Sequence, residues 1–148
     1  MLVTLGIAGD FDPVSAQASA RPNILIILTD DQRATGTMWV MPKTRAIFGS
    51  GGTRYNNAVA TTPLCCPSRA SIFSGRYAHN HGVVSNASAG ALNQDLTIQA
   101  QLRRAGYRTA VAGKFLNGFP SSPPHFDRWA VHRGRRYFDA TFDLDGIE

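Results

Sequence analysis

Cys65 and Cys66 stand side by side in Thr62-Pro63-Leu64-Cys65-Cys66-Pro67-Ser68-Arg69-Ala70-Ser71-Ile72-Phe73-Ser74-Gly75-Arg76, and they are the only thiols in the chain. The stretch reads as a loop feeding a helix. A proline is tolerated in a first helical turn, where its missing N–H would be unpaired anyway, so Pro67 marks the start, and Ala70, Ile72 and Phe73 can face a core. Cys65 then sits just before a helix N-terminus, where free backbone N–H groups and the positive end of the helix dipole favour an anion. Arg69, one turn on, adds a fork of donors. The arrangement suits chemistry on an anionic group. Adjacent cysteines rarely bridge each other, because so small a ring strains the peptide, and no third cysteine is available, so no disulfide is expected.

Two further sets of residues could serve that chemistry. Asp30 and Asp31 follow a continuous apolar, β-branched run over residues 23–29, bounded by Pro22, which is the pattern of a strand buried on both faces. Ligands of open parallel sheets bind beyond the carboxyl ends of strands, where this pair falls. Adjacent carboxylates repel and need a cation or several donors to stay ionised. A hard divalent metal answers that need; alternatively Asp30 caps the following turn and Asp31 is solvated. Lys114 follows a second run, residues 107–112, read as another buried strand, so it lies on the same edge as Asp30 if the two strands are parallel. It is either a point charge for an anion or a surface lysine. His79 and His81, in a loop over residues 77–82, either line a polar pocket or are solvated.

The elements that must hold these groups alternate in type. Residues 42–48 read as a short helix ended by Gly49 and the Gly51-Gly52 pair, followed by an extended piece over residues 53–59. Ile98, Ala100, Leu102 and Ala105 recur at a helical period, with Thr97 as N-cap and Gly106 as the residue past the end. Helix followed by strand is a βαβ-type return to the sheet, and the fold class is α/β, a mostly parallel sheet sandwiched by helices. Residues 120–124 form a loop, and residues 136–144 alternate enough for a strand, with Asp145-Gly146 opening a hairpin whose partner does not follow.

A chain of 148 residues with 43% apolar content fits one globular domain. The net charge of +5 gathers at Arg103-Arg104 with Arg108 and between Arg128 and Arg136, either as a solvated basic face or as an attraction for a polyanionic substrate. Nucleic acid is not expected as a partner, since zinc-finger spacing, a basic helix and an aromatic-interleaved basic stripe are all lacking. No segment is long enough to span a bilayer. Residues 1–20 hold a short apolar piece and small-residue cleavage sites, Ala16-Gln17-Ala18 and Ala18-Ser19-Ala20, but no basic start, and Asp10 and Asp12 interrupt them. They read as a degraded export signal, implying a secreted or periplasmic protein, or as a disordered tail.

Cys65-Cys66-Pro67-Ser68-Arg69, trailed by Ser74-Gly75-Arg76, resembles the signature of the type I, formylglycine-dependent sulfatases, CxPSR with a later (S/T)G(R/K). Arg21-Pro22-Asn23-Ile24 and Asp30-Asp31-Gln32 before it, and Gly113-Lys114 after it, keep the family's order. With His79-Asn80-His81-Gly82, Gly113-Lys114-Phe115-Leu116-Asn117 and Tyr137-Phe138-Asp139-Ala140-Thr141, the wording is nearest to the N-acetylglucosamine-6-sulfatase branch. The resemblance runs over residues 21–148, read as the N-terminal part of a sulfatase catalytic domain of alkaline-phosphatase-like fold, incomplete at its C-terminus.

The resemblance implies that a formylglycine-generating enzyme oxidises Cys65 to formylglycine, reading Pro67 and Arg69, with Cys66 a passive neighbour. It implies that Asp30, Asp31 and the modified Cys65 coordinate one Ca²⁺. Arg69 steadies the hydrated aldehyde, and Lys114 binds the sulfate oxygens of a sulfated sugar, of N-acetylglucosamine or glycosaminoglycan type. One hydroxyl of the hydrate attacks sulfur, and loss of the other's proton releases sulfate. Leu116 stands where many sulfatases carry a histidine, which leaves the proton acceptor open. The family's remaining metal ligands lie in a C-terminal half outside this sequence, so an incomplete sulfatase without turnover is one alternative. A phosphate or phosphonate ester hydrolase of the same superfamily is another.

Overall fold

The computed structural model describes residues 21–119, 122–133 and 138–146. The expected export signal or tail over residues 1–20 lies outside the described residues. The chain divides into two compact units, Met1–Gln32 and Arg33–Glu148.

In the first unit the run over residues 23–29 is not the doubly buried strand its composition predicts. Among the described residues it pairs with no strand, and its side chains are exposed, with Ile24 at 52% and Leu25 at 79%. Burial of such a run needs a ladder partner on each side and helices over each face, neither of which composition can supply. Asp30 and Asp31 therefore follow an unladdered segment and lie at a bend, with Asp31 in the left-handed region at φ 50°.

The second unit opens with helix α1, Pro42–Thr44, which continues as a wider π turn over Arg45–Ser50, close to the expected bounds. The extended piece expected over residues 53–59 forms no strand and turns at Asn56 and Asn57. Helix α2 spans Cys65–Ser74, with Leu64 as N-cap and Pro67 in the first turn, as expected. It ends where the Gly75 N–H donates to the Ser71 carbonyl. The loop expected over residues 77–82 contains a short helix, α3, Ala78–His81.

Helix α4, Ile98–Arg104, follows an N-cap at Thr97. The Thr97 hydroxyl caps nothing; it donates back to the Gln94 carbonyl at 2.6 Å. At the other end the Gly106 N–H donates to the Arg103 carbonyl and the Tyr107 N–H to the Leu102 carbonyl, the paired bonds that close a helix through a left-handed residue. Gly106, at φ 83°, fills that position without the clash a Cβ would bring. Of the expected face, Ala100 is buried and Leu102 half-buried, while Ile98 and Ala105 are exposed and Gln99 is buried in their place.

The sheet has three strands in the order β1 (Ala110–Gly113), β2 (Arg128–Arg133), β3 (Thr141–Leu144). β1 and β2 run parallel, with Ala110 opposite Arg128 and Gly113 opposite Val131. β2 and β3 are antiparallel, with Ala130 opposite Leu144 and Arg133 opposite Thr141. Among the described residues, β3 thus finds a partner upstream, in β2. β1 is half-buried at best rather than buried, because its neighbours cover it incompletely.

Two carboxylates lock the antiparallel pair. Asp143, wholly buried, accepts from Trp129 Nε1 at 3.1 Å, Arg133 Nη2 at 3.0 Å and the Gly146 N–H at 2.8 Å. Asp145 accepts from the Trp129 N–H at 2.7 Å and pairs with Arg128. Arg103 pairs with Asp127 at 3.1 Å. Both basic clusters are therefore partly spent on internal ion pairs, which weakens the case for a polyanion-attracting face.

The core is formed by Cys66, Ala70, Val83, Ala89, Leu92, Phe115 and Leu116, with Phe73, Phe119, Phe126 and Val131 packed against it. Phe115 is its hub, 5.1 Å from both Phe73 and Phe119 and 5.9 Å from Phe126 by ring centroids. Phe119 and Phe126 meet it edge-to-face, an arrangement that suits the charge distribution of aromatic rings, while Phe73 is tilted at 51°. This core joins α2 to the segment leaving β1, and so fixes the surroundings of the candidate residues.

Candidate active site

Helix α2 carries Cys65, Cys66 and Arg69. Cys65 is the first helical residue and half-buried, whereas Cys66 is fully buried. The Cys66 N–H donates to Asn86 Oδ1 at 2.9 Å. Leu64, the N-cap, has no polar side chain, so an amide twenty residues away does the capping. This corrects the expected row of free donors. Of the first-turn groups, the Cys66 N–H goes to Asn86, Pro67 has none, and the Ser68 N–H closes the helix onto the Leu64 carbonyl. The helix start is largely satisfied from within.

Cys66 is not passive either. Its sulfur accepts the Asn117 N–H at 3.0 Å, tying α2 to the segment that follows β1. Burial pushes the Cys66 thiol above its ordinary value, against the opposite pull of the Asn117 N–H, so the group stays neutral. Arg69, only 7% exposed, spans the same gap: its Nη1 donates to the carbonyl of Lys114 and, at 3.5 Å, to that of Phe115. A guanidinium is always charged and needs acceptors when buried, and two carbonyls beyond a strand end are among those that meet it here.

Lys114 is half-buried on this pinned segment. Gly113 precedes it at φ 92°, a conformation that lets the chain leave β1 and that a side chain would strain. Leu116 is 6% exposed and belongs to the core, which explains an apolar residue at that position. Of the expected residues, Cys65, Arg69 and Lys114 are carried by these two joined segments of the second unit, while Asp30 and Asp31 belong to the first unit.

The two histidines separate in role. His79 is exposed and stacked on Tyr77, with ring centroids 5.9 Å apart. His81 is buried; its Nδ1 accepts the Val83 N–H at 3.1 Å, which puts the ring proton on Nε2, 3.1 Å from Ser71 Oγ. Ser71 also accepts from Thr61 at 3.0 Å. Burial lowers the His81 pKa, keeping the ring neutral. A histidine already protonated on the nitrogen facing a serine cannot take that serine's proton, so this pair is no nucleophile and base. His81 does line a cavity of about 160 Å³ with Ser74, Arg76, Asn80 and Asn93, while His79 does not.

Sequence reasoning missed Asn86 and the hydrogen-bonding parts of Cys66 and Asn117. Nothing local marks them, since their partners are 20 and 51 residues away.

Comparison with known proteins gives these segments a context. Over 136 residues the chain is 37% identical to the extracellular sulfatase SULF-1 homolog of Drosophila melanogaster, covering 85% of this chain and 12% of that protein. Over 165 residues it is 36% identical to human N-acetylglucosamine-6-sulfatase, covering 99% of this chain and 30% of that protein. A solved structure of a protein in complex with its substrate, D-glucosamine-2-N,6-O-disulfate, superposes with a TM-score of 0.56 at 37% identity, over 63% of this chain and 19% of that one. The chain thus spans less than a third of the length of each. The likeness carries the expected α/β, alkaline-phosphatase-like fold, of which the three-stranded mixed sheet and its helices are part. The family model described as Sulfatase matches residues 22–148, a span that includes every candidate residue above, and the chain therefore belongs to the sulfatase family.

Proposed function

We propose that the protein hydrolyses sulfate esters of an amino sugar, of N-acetylglucosamine or glycosaminoglycan type, through a formylglycine made from Cys65. The observation that carries this reading is the sulfatase match over residues 22–148, within which Cys65, Pro67 and Arg69 open one helix. The relatives named for N-acetylglucosamine-6-sulfatase and the neighbour bound to a sulfated glucosamine support the substrate class. A secreted or periplasmic location accords with relatives named extracellular and with the finding that no described helix is long and apolar enough to cross a membrane.

Once oxidised and hydrated, Cys65 would supply two hydroxyls: one to take the sulfuryl group as the S–O ester bond breaks and the sugar alcohol leaves, the other to lose its proton so that sulfate departs and the aldehyde is restored. Lys114 binds the sulfate oxygens as a point charge, which stabilises the negative charge on them as the ester bond breaks. Arg69, one turn from Cys65 on the same helical face, steadies the modified residue and holds the Lys114 backbone from behind.

The donor chemistry at Asp30 and Asp31 fits Ca²⁺. Two adjacent carboxylates offer the hard oxygens this ion takes, and the left-handed backbone at Asp31 breaks the alternation that would send them to opposite faces. With the modified Cys65 they would hold the ion, which when bound supplies positive charge that favours an ionised oxygen nucleophile and polarises the ester.

Mass spectrometry of the Cys65 peptide after co-expression with a formylglycine-generating enzyme tests the reading. An aldehyde at Cys65, together with Ca²⁺-dependent sulfate release from an aryl sulfate, is expected. A thiol that stays unmodified throughout overturns the maturation step, and a preference for a matched phosphate ester overturns the substrate class.

A further inference from the structure

We propose that Cys66 is a positioning residue: by accepting the Asn117 N–H, its buried sulfur holds the segment that carries Lys114 against the first turn of α2, beside Cys65. Several bonds converge on this one residue. Its side chain is wholly buried, its sulfur lies 3.0 Å from the Asn117 nitrogen, and its own N–H is fixed by Asn86. Three residues upstream of Asn117, the Lys114 carbonyl is held by Arg69. The segment over residues 114–117 is thus fastened to α2 at both ends, with Phe115 and Leu116 packed in the core between.

Sulfur suits this place on physical grounds. It is large and polarisable enough to fill an apolar core, yet it can still accept a hydrogen bond. A lysine on a backbone fastened at two points has little main-chain freedom left to lose when an anion binds, and that freedom is otherwise a cost of binding. The adjacent cysteines therefore divide the work: Cys65 presents the half-buried thiol, and Cys66 sets where Lys114 starts from. The functional meaning of this fastening rests on the reading of Lys114 as the sulfate-binding group.

Amide hydrogen exchange followed by NMR in the whole 148-residue chain tests it. In Cys66→Ala the Asn117 amide is expected to exchange at least about tenfold faster, with the Gly75 and Asp127 amides changed less than about twofold. Cys66→Ser, which keeps an acceptor, is expected to stay within about threefold of the unaltered chain. Cys66→Val fills the space without an acceptor and gives the same reading if Cys66→Ala does not fold. Unchanged exchange at Asn117, acceleration spread evenly over α2, α4 and the sheet, or a serine variant as fast as the alanine variant overturns the proposal.

Titration with inorganic sulfate, read at the Lys114 amide, separates this idea from the proposed function. No response in the unaltered chain counts against the proposed function and leaves the exchange pattern to decide the role of Cys66. Where sulfate binds, Cys66→Ala is expected to weaken it at least about threefold and Cys66→Ser to restore it. Equal affinity in all three overturns the positioning role.

Discussion

The guanidinium of Arg69 is bound to the backbone of Lys114: Nη1 of the helix residue donates to the carbonyl of the residue that follows β1. Two residues that the family signature treats as separate participants are therefore one mechanical unit, joined across 45 positions of sequence. Their separation is fixed by a charged donor that is almost wholly buried and cannot be neutralised.

Arg69→Met is expected to destabilise the chain by roughly 1–3 kcal/mol, because the Lys114 and Phe115 carbonyls lose a buried donor. Arg69→Lys recovers only part of this, since an ammonium lacks the planar fork. Urea unfolding followed by circular dichroism measures both, and a neutral Arg69→Met rejects the account.

Asn86→Ala removes the acceptor that caps α2 and is expected to cost about 1 kcal/mol. Asn86→Asp keeps an oxygen there and adds a negative charge at the favourable end of the helix dipole, so its stability should match or exceed that of the unaltered chain. Thermal unfolding of the pair distinguishes a capping amide from a bystander.

The two thiols should react unequally in the folded chain, since Cys65 is half-buried and Cys66 is buried, with burial raising its pKa. Iodoacetamide at pH 8 is expected to alkylate Cys65 at least about tenfold faster, a preference that vanishes in guanidinium. Peptide mass spectrometry reads the ratio, and equal rates in the folded state contradict the buried acceptor role of Cys66.

Acid should loosen the β2–β3 pair before it melts α2. Burial pushes the Asp143 carboxyl up, but bonds from Arg133, Trp129 and Gly146 outweigh it and hold the group below the usual carboxylate range. The Trp129 N–H, ahead of Arg128, lowers Asp145 in the same sense. A carboxyl with a depressed folded pKa contributes stability that is full above its unfolded value, about 4, and is lost as pH falls through the folded value. His81, depressed by burial, contributes in the same direction at higher pH: its share is full above about 6.5 and declines as pH falls toward the folded value. Trp129 fluorescence should therefore report an acid transition that moves to higher pH in Asp143→Asn, and His81→Asn should flatten the dependence as pH falls below about 6.5.

The sequence alone determined the parts whose causes are local. Pro67 in a first turn, Gly106 as the left-handed residue past α4, and Lys114 just past a strand each depend on the conformational limits of a few neighbouring residues, and each stands where it was expected, while Gly113 proves to be the last residue of the strand. The cysteine signature was legible for the same reason, as a short motif with fixed spacing. Tertiary structure decided what spacing cannot encode. Residues 23–29 have the composition of a buried strand yet have no described ladder partner, because burial belongs to the neighbours and not to the run. The donors expected at the start of α2 are taken up by Asn86, and Cys66 turns from bystander to acceptor, because hydrogen-bond partners 20 and 51 residues away are selected by packing. A buried polar group must find a partner wherever the fold provides one, and local sequence carries no record of which residue that is.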